Sequence, residues 1–131
     1  MNRNKVVYYI DDCYGDREWV LEELGGFTII THDGNPTTWM DFVSHTGEFK
    51  DNPPPDIIVT DANLHHTFTG FDVAMYVHEN KLCDKIVVCS GVDPDSQALL
   101  QDHSYKTNIT AFLVKPVTKP KVEVILERSA L

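Results

Sequence analysis

The sequence predicts a doubly wound α/β fold, one parallel sheet with helices on both faces. Five short runs rich in β-branched residues recur along the 131 residues, and segments with helically spaced apolar residues separate them. The central runs are apolar at nearly every position, which marks strands covered on both faces. Strand and helix thus alternate five times. Right-handed crossovers then leave a three-layer sandwich as the consistent topology.

The first strand is Val6-Val7-Tyr8-Tyr9-Ile10, which runs into Asp11-Asp12. A helix from Asp16 to Leu24 places Val20, Leu21 and Leu24 inward, and Gly25-Gly26 stops it. Phe27 to Thr31 is the second strand. Asn35-Pro36 reads as a cap followed by proline at the first helical position. Trp39, Met40 and Val43 face inward from that helix, and Gly47 ends it; Trp19 and Trp39 both fall at core spacing. Pro53-Pro54-Pro55 is a stiff loop feeding the third strand, Ile57 to Thr60, which runs into Asp61. Phe71 to Asn80 carries Val73, Ala74 and Val77 on one stripe. Ile86 to Cys89 is the fourth strand and runs into Ser90-Gly91. Asp93-Pro94 opens a fourth helix to about His103, with Ala98 and Leu99 as its apolar part. Phe112-Leu113-Val114 is the fifth strand and runs into Lys115-Pro116. A last helix starts near Pro120 and carries Val122, Ile125 and Leu126.

Length implies one domain over residues 1–131. No apolar stretch approaches the roughly 20 residues that span a bilayer, and the residues before the first strand do not read as a signal peptide. The expectation is a cytoplasmic protein with no membrane partner. A net charge of -9 argues against direct nucleic-acid binding, which depends on clustered lysine and arginine. Cys13, Cys83 and Cys89 form no CxxC pair and read as structural thiols, Cys89 as a small buried hydrophobe. The adjacent His65-His66 lacks a third ligand at suitable spacing and reads as a polar loop.

The chemistry lies where the strands end. Parallel strands bring their carboxyl ends to one edge, where functional groups of such sheets collect. Asp11, Asp12 and Asp61, the hydroxyl of Ser90 and the ammonium of Lys115 all fall there. Crowded carboxylates repel one another, and a divalent cation relieves that repulsion. Oxygen-rich sites with one or two carboxylates and a phosphate oxygen suit Mg²⁺.

An acid pair after the first strand, a lone Asp after the third, Ser after the fourth and Lys-Pro after the fifth resemble the receiver domains of two-component response regulators. The likeness runs from Lys5 to about Arg128 and is greatest to single-domain, chemotaxis-type members without an output domain. It implies a flavodoxin-like five-stranded sheet of order 2-1-3-4-5 with five helices. It further implies that Asp12 and Asp61 bind Mg²⁺ (or Mn²⁺), with Asp11 acting through water and the Asn63 backbone carbonyl completing the protein ligands. Asp61 would accept a phosphoryl group from a histidine kinase or a phosphotransfer protein. Lys115, Ser90 and the backbone N–H groups of Asn63 and Gly91 would contact that group. Ser90 and Phe112 would form the switch. The surface from about Asp95 to Arg128 (fourth helix, fifth strand, fifth helix) would meet a downstream protein, and the chain would be a monomer or weak homodimer. The Lys115-Pro116 bond is cis in the family. No enzyme activity is implied beyond self-phosphorylation and self-dephosphorylation.

The sequence departs from the family after Asp61. Position 65 is His where the family has proline, and Gly70 comes one residue late. Val92, two beyond Ser90, cannot position an attacking water, which predicts slow self-dephosphorylation. The alternative reading is a pseudo-receiver, an interaction module independent of phosphorylation. A haloacid-dehalogenase-like phosphatase would have Asp at position 63, and a cobalamin module would have His there. A flavin binder would have a hydroxyl- and glycine-rich loop in place of Asp11-Asp12-Cys13-Tyr14.

Overall fold

The computed structural model describes residues 5–64, 69–91 and 109–127. Five strands, β1 (Val6–Ile10), β2 (Thr28–His32), β3 (Ile57–Asp61), β4 (Ile86–Ser90) and β5 (Ala111–Val114), form one parallel sheet of order β2-β1-β3-β4-β5. The described helices are α1 (Tyr14–Glu23), α2 (Trp39–Ser44), α3 (Gly70–Glu79) and α4 (Lys119–Glu127), with a 3₁₀ turn at Gly47–Phe49. The expected fourth helix, over residues 93–103, lies outside the described residues. No described helix is long and apolar enough to cross a membrane.

The period of two along each strand sorts the core into two layers. Val6, Tyr8, Ile10, Ile58, Ile86 and Val88 face α2 and α3, where Trp39, Phe42, Val43, Phe71, Val73, Ala74 and Val77 are buried. Val7, Tyr9, Ile57, Val59, Val87 and Cys89 face α1 and α4, where Val20, Leu24, Val122 and Ile125 are buried. The buried Cys89 fills space as a small hydrophobe. β1, β3 and β4 are buried throughout because helices cover both their faces; β2 and β5, at the edges, are only partly covered.

Several positions differ from expectation. Trp19 (39% exposed), Leu21 and Met40 face outward. Each lies one residue, about 100° of helix, from a position that already fills the available stripe: Val20 on α1 and Trp39 on α2. β2 is shifted by one residue and ends at His32, which is buried and stacked on Phe42 with ring centroids 4.8 Å apart. α2 begins at Trp39, not after Asn35-Pro36. The Asn35 side chain instead accepts the Thr37 N–H at 2.8 Å, closing a turn ahead of the helix.

Gly47 does not terminate α2. The helix closes on His45, which takes a left-handed conformation (φ 43°). The His45 N–H donates to the Phe42 carbonyl and the Thr46 N–H to the Asp41 carbonyl, the paired bonds of a glycine-type helix end. A side chain at that φ carries a steric cost that glycine lacks. His45→Gly is therefore expected to stabilise the protein by about 0.5–1 kcal/mol in urea denaturation. A loss of stability would show that the imidazole makes contacts worth more than the relieved strain.

Candidate functional site

The site is built from four strand ends. Asp11 follows β1 directly, and its N–H donates to the His32 carbonyl at 3.1 Å, so β2 holds the chain at this point. Asp61 is the last residue of β3 and Ser90 the last of β4, and both are largely buried. Lys115 follows β5, and its N–H donates to the Ser90 carbonyl at 2.7 Å. The Lys115-Pro116 peptide bond is cis.

Carboxylate oxygens of Asp11, Asp12 and Asp61 lie within 4.8 Å of one another. The Lys115 ammonium stands beside them, 2.8 Å from Asp11 Oδ2 and 3.5 Å from Asp61 Oδ1. Asp11 is wholly buried and also accepts the Tyr9 hydroxyl on Oδ2 at 2.6 Å and the Cys13 N–H on Oδ1 at 2.9 Å. Arg17 donates to the Asp11 backbone carbonyl at 2.7 Å. Asp12 is exposed and open to approach from solvent.

The electrostatics follow from crowding. Burial, and then the neighbouring Asp11 charge, push the Asp61 carboxyl up to about 6, and Lys115 only partly opposes them. Burial also works against the Lys115 ammonium, but hydrogen bonds to Asp11 and Asp16 outweigh it and hold its pKa above the ordinary lysine range. Burial raises the Tyr9 phenol, which keeps it a donor to Asp11.

Asn63 is exposed, and its backbone pairs with Thr69 in an isolated antiparallel bridge across the loop after β3. Gly91 is exposed just past Ser90. Phe112 is half-buried, its ring centroid 6.3 Å from that of Phe71. His65-His66 and Val92 lie outside the described residues.

Two functional-looking residues escaped the sequence reading. Asp16, in the first turn of α1, makes the shortest contact to Lys115, with Oδ2 at 2.7 Å from Nζ. An acid in a helix's first turn reads as a dipole partner and gives no other sign. Tyr9 had a usable signal: it lies two residues before Asp11 on a strand, hence on the same face.

No protein-family model matches the sequence, and no curated protein does. Solved structures do match in fold. The bacteriophytochrome response regulator AtBRR superposes with a TM-score of 0.74 at 19% identity, over 96% of this chain and 92% of that one. The phosphorylated cyanobacterial phytochrome response regulator RcpA gives 0.71 at 18% identity, over 95% and 90%. The chemotaxis response regulator CheY4 of Vibrio cholerae gives 0.66 at 19%, over 95% and 98%. With the strand order above, these likenesses give this chain the fold of the response regulator receiver domains.

Proposed function

We propose that this chain is a phosphoryl-accepting signalling switch whose acceptor is Asp61. The observation that carries the reading is the cluster itself: three carboxylates within 4.8 Å of one another and an ammonium 3.5 Å from the acceptor, at the carboxyl edge of a parallel sheet. Hard oxygen donors in this number suit Mg²⁺ or Mn²⁺. Asp12, Asp61 and the Asn63 carbonyl would hold the ion. Asp11, already taken up by Tyr9, Cys13 and Lys115, fits a contact through water. Bound there, the ion supplies positive charge against the acids and the phosphoryl oxygens.

In the transfer step, an Asp61 oxygen attacks phosphorus of a phosphohistidine on a kinase or phosphotransfer protein. The P–N bond breaks, the imidazole nitrogen leaves with its electron pair, and an acyl phosphate forms. The Lys115 ammonium, the Ser90 hydroxyl and the N–H groups of Asn63 and Gly91 neutralise charge on the equatorial oxygens. Ser90 then moves toward the phosphoryl group and Phe112 follows it, which alters the face of β5 and α4 offered to a downstream protein. An apolar Val92 gives no help to an attacking water, so the acyl phosphate is long-lived.

Incubation with Mg²⁺ and acetyl phosphate tests the reading by intact mass. One hydroxylamine-labile phosphoryl group is expected on the wild type and none on Asp61→Asn. No incorporation, together with no Mg²⁺-dependent binding of beryllofluoride, would leave the phosphorylation-independent interaction module as the better account.

A further inference from the structure

The shortest contact of the Lys115 ammonium is not to the acceptor but to Asp16, a residue with no part in the transfer step above. We propose that Asp16 is a positioning residue that holds Lys115 on the α1 side of the site, so that a phosphoryl group on Asp61 must compete with Asp16 for the ammonium. The inference rests on the phosphoacceptor reading and adds to it a carboxylate that sets how readily the phosphorylated state forms.

An ammonium has three N–H donors. In the structure Asp11 Oδ2 takes one at 2.8 Å and Asp16 Oδ2 takes one at 2.7 Å, while Asp61 Oδ1 stands at 3.5 Å, beyond good hydrogen-bond range. The two close partners are unequal. Asp11 has no exposed surface and is pinned by Tyr9 and Cys13, so its bond to Lys115 is fixed. The Asp16 side chain is 43% exposed on the first turn of a helix, and water can replace the ammonium there at small cost. Asp16 is therefore the partner that can let go. There is room for it to do so: a cavity of about 350 Å³ lies beside the pair, bordered by Trp19, Gly91 and Pro116. The hydrogen bond from Lys115 also holds the Asp16 carboxyl below the usual aspartate range, as a formed charge-assisted pair requires.

Two ligands test this with opposite signs. Removing the Asp16 charge frees Lys115 to approach Asp61, and it leaves the acid cluster less negative. Calorimetric titration of Asp16→Asn should then show Mg²⁺ binding weakened by roughly twofold or more. At saturating Mg²⁺, beryllofluoride, a tetrahedral stand-in for the phosphoryl group, should bind roughly twofold to fivefold more tightly. A merely structural loosening would weaken both. Asp16→Glu, which restores the charge, should return both constants toward wild type. Asp16→Ser removes the charge by a different side chain suited to a helix start, and it should repeat the Asn result. Beryllofluoride binding that is unchanged or weaker in the charge-free variants overturns the proposal while leaving the phosphoacceptor reading intact. Wild-type protein that binds Mg²⁺ but no beryllofluoride overturns that reading and this proposal with it.

Discussion

Gly70→Ala is expected to destabilise the protein by about 3 kcal/mol and to slow phosphoryl uptake by roughly 100-fold. Gly70 opens α3 at the point where the helix meets the end of β3. A β-carbon there would lie 2.2 Å from the Asp61 carbonyl oxygen and 3.2 Å from the Ala62 α-carbon. Neither obstacle is the tip of a flexible side chain. β3 is fixed between β1 and β4, the Ala62 N–H donates to the Cys89 carbonyl at 2.8 Å, and the Gly70 N–H donates to the Ala62 carbonyl at 3.0 Å. On the helix side, Thr69 and Asp72 form a reciprocal cap, the Thr69 N–H bonding Asp72 Oδ2 at 2.8 Å. A methyl group therefore has to push two anchored backbones apart, and the residue displaced is the proposed acceptor. Because in-line transfer is sensitive to misplacement on the ångström scale, the loss of rate should exceed what partial unfolding explains. Urea denaturation and acetyl phosphate labelling measure the two effects. Gly25→Ala is the control, since its β-carbon would find only an ordinary contact at 3.8 Å, and it should change stability by less than about 0.5 kcal/mol. Equal behaviour of the two variants would refute the steric account.

The same glycine shows how far the sequence could be read. Its count from Asp61 departs from the receiver pattern, yet its place is set by the helix–strand approach rather than by loop length. The sequence displays the count; only the fold displays the approach. The strands were legible because burial on both faces leaves near-continuous runs of apolar residues, and their order along the chain brings Asp11, Asp61 and Lys115 to one edge under simple topological rules. The helices were less legible. Apolar residues that flank a filled stripe, such as Leu21 and Met40, satisfy the same periodicity as those that occupy it. The helix boundary at His45 was missed because a left-handed residue other than glycine leaves no compositional mark. Asp16 was missed for a related reason. Its role depends on where the Lys115 side chain ends, ninety-nine residues further along the chain, and no local pattern encodes that.

Lys115→Met is expected to cost about 3 kcal/mol at neutral pH, with a sign of pH dependence that identifies the cause. The substitution keeps most of the apolar stem and removes an ammonium that contacts the side chains of Asp11, Asp16 and Asp61. Asp11 is left wholly buried with two neutral donors, the Tyr9 hydroxyl and the Cys13 N–H, against the charge of its neighbours. Asp61 already sits near 6 in the folded protein, above the ordinary aspartate value of 3.8, with Lys115 pulling it down. Without that pull its folded pKa rises further. A carboxyl whose folded pKa exceeds its unfolded one favours folding below the unfolded value, and that contribution disappears as pH climbs through the folded value. The deficit of Lys115→Met relative to wild type should therefore be small near about pH 5, where Asp61 can hold a proton, and widen toward about pH 8. Mg²⁺ should narrow it again at the higher pH, because a cation that binds only the folded state stabilises it by mass action and the variant has more repulsion to relieve. Denaturation at the two pH values, with and without Mg²⁺, decides the matter. A deficit that is flat with pH and indifferent to Mg²⁺ would mean that the stem of Lys115, not its charge, holds this edge of the sheet together.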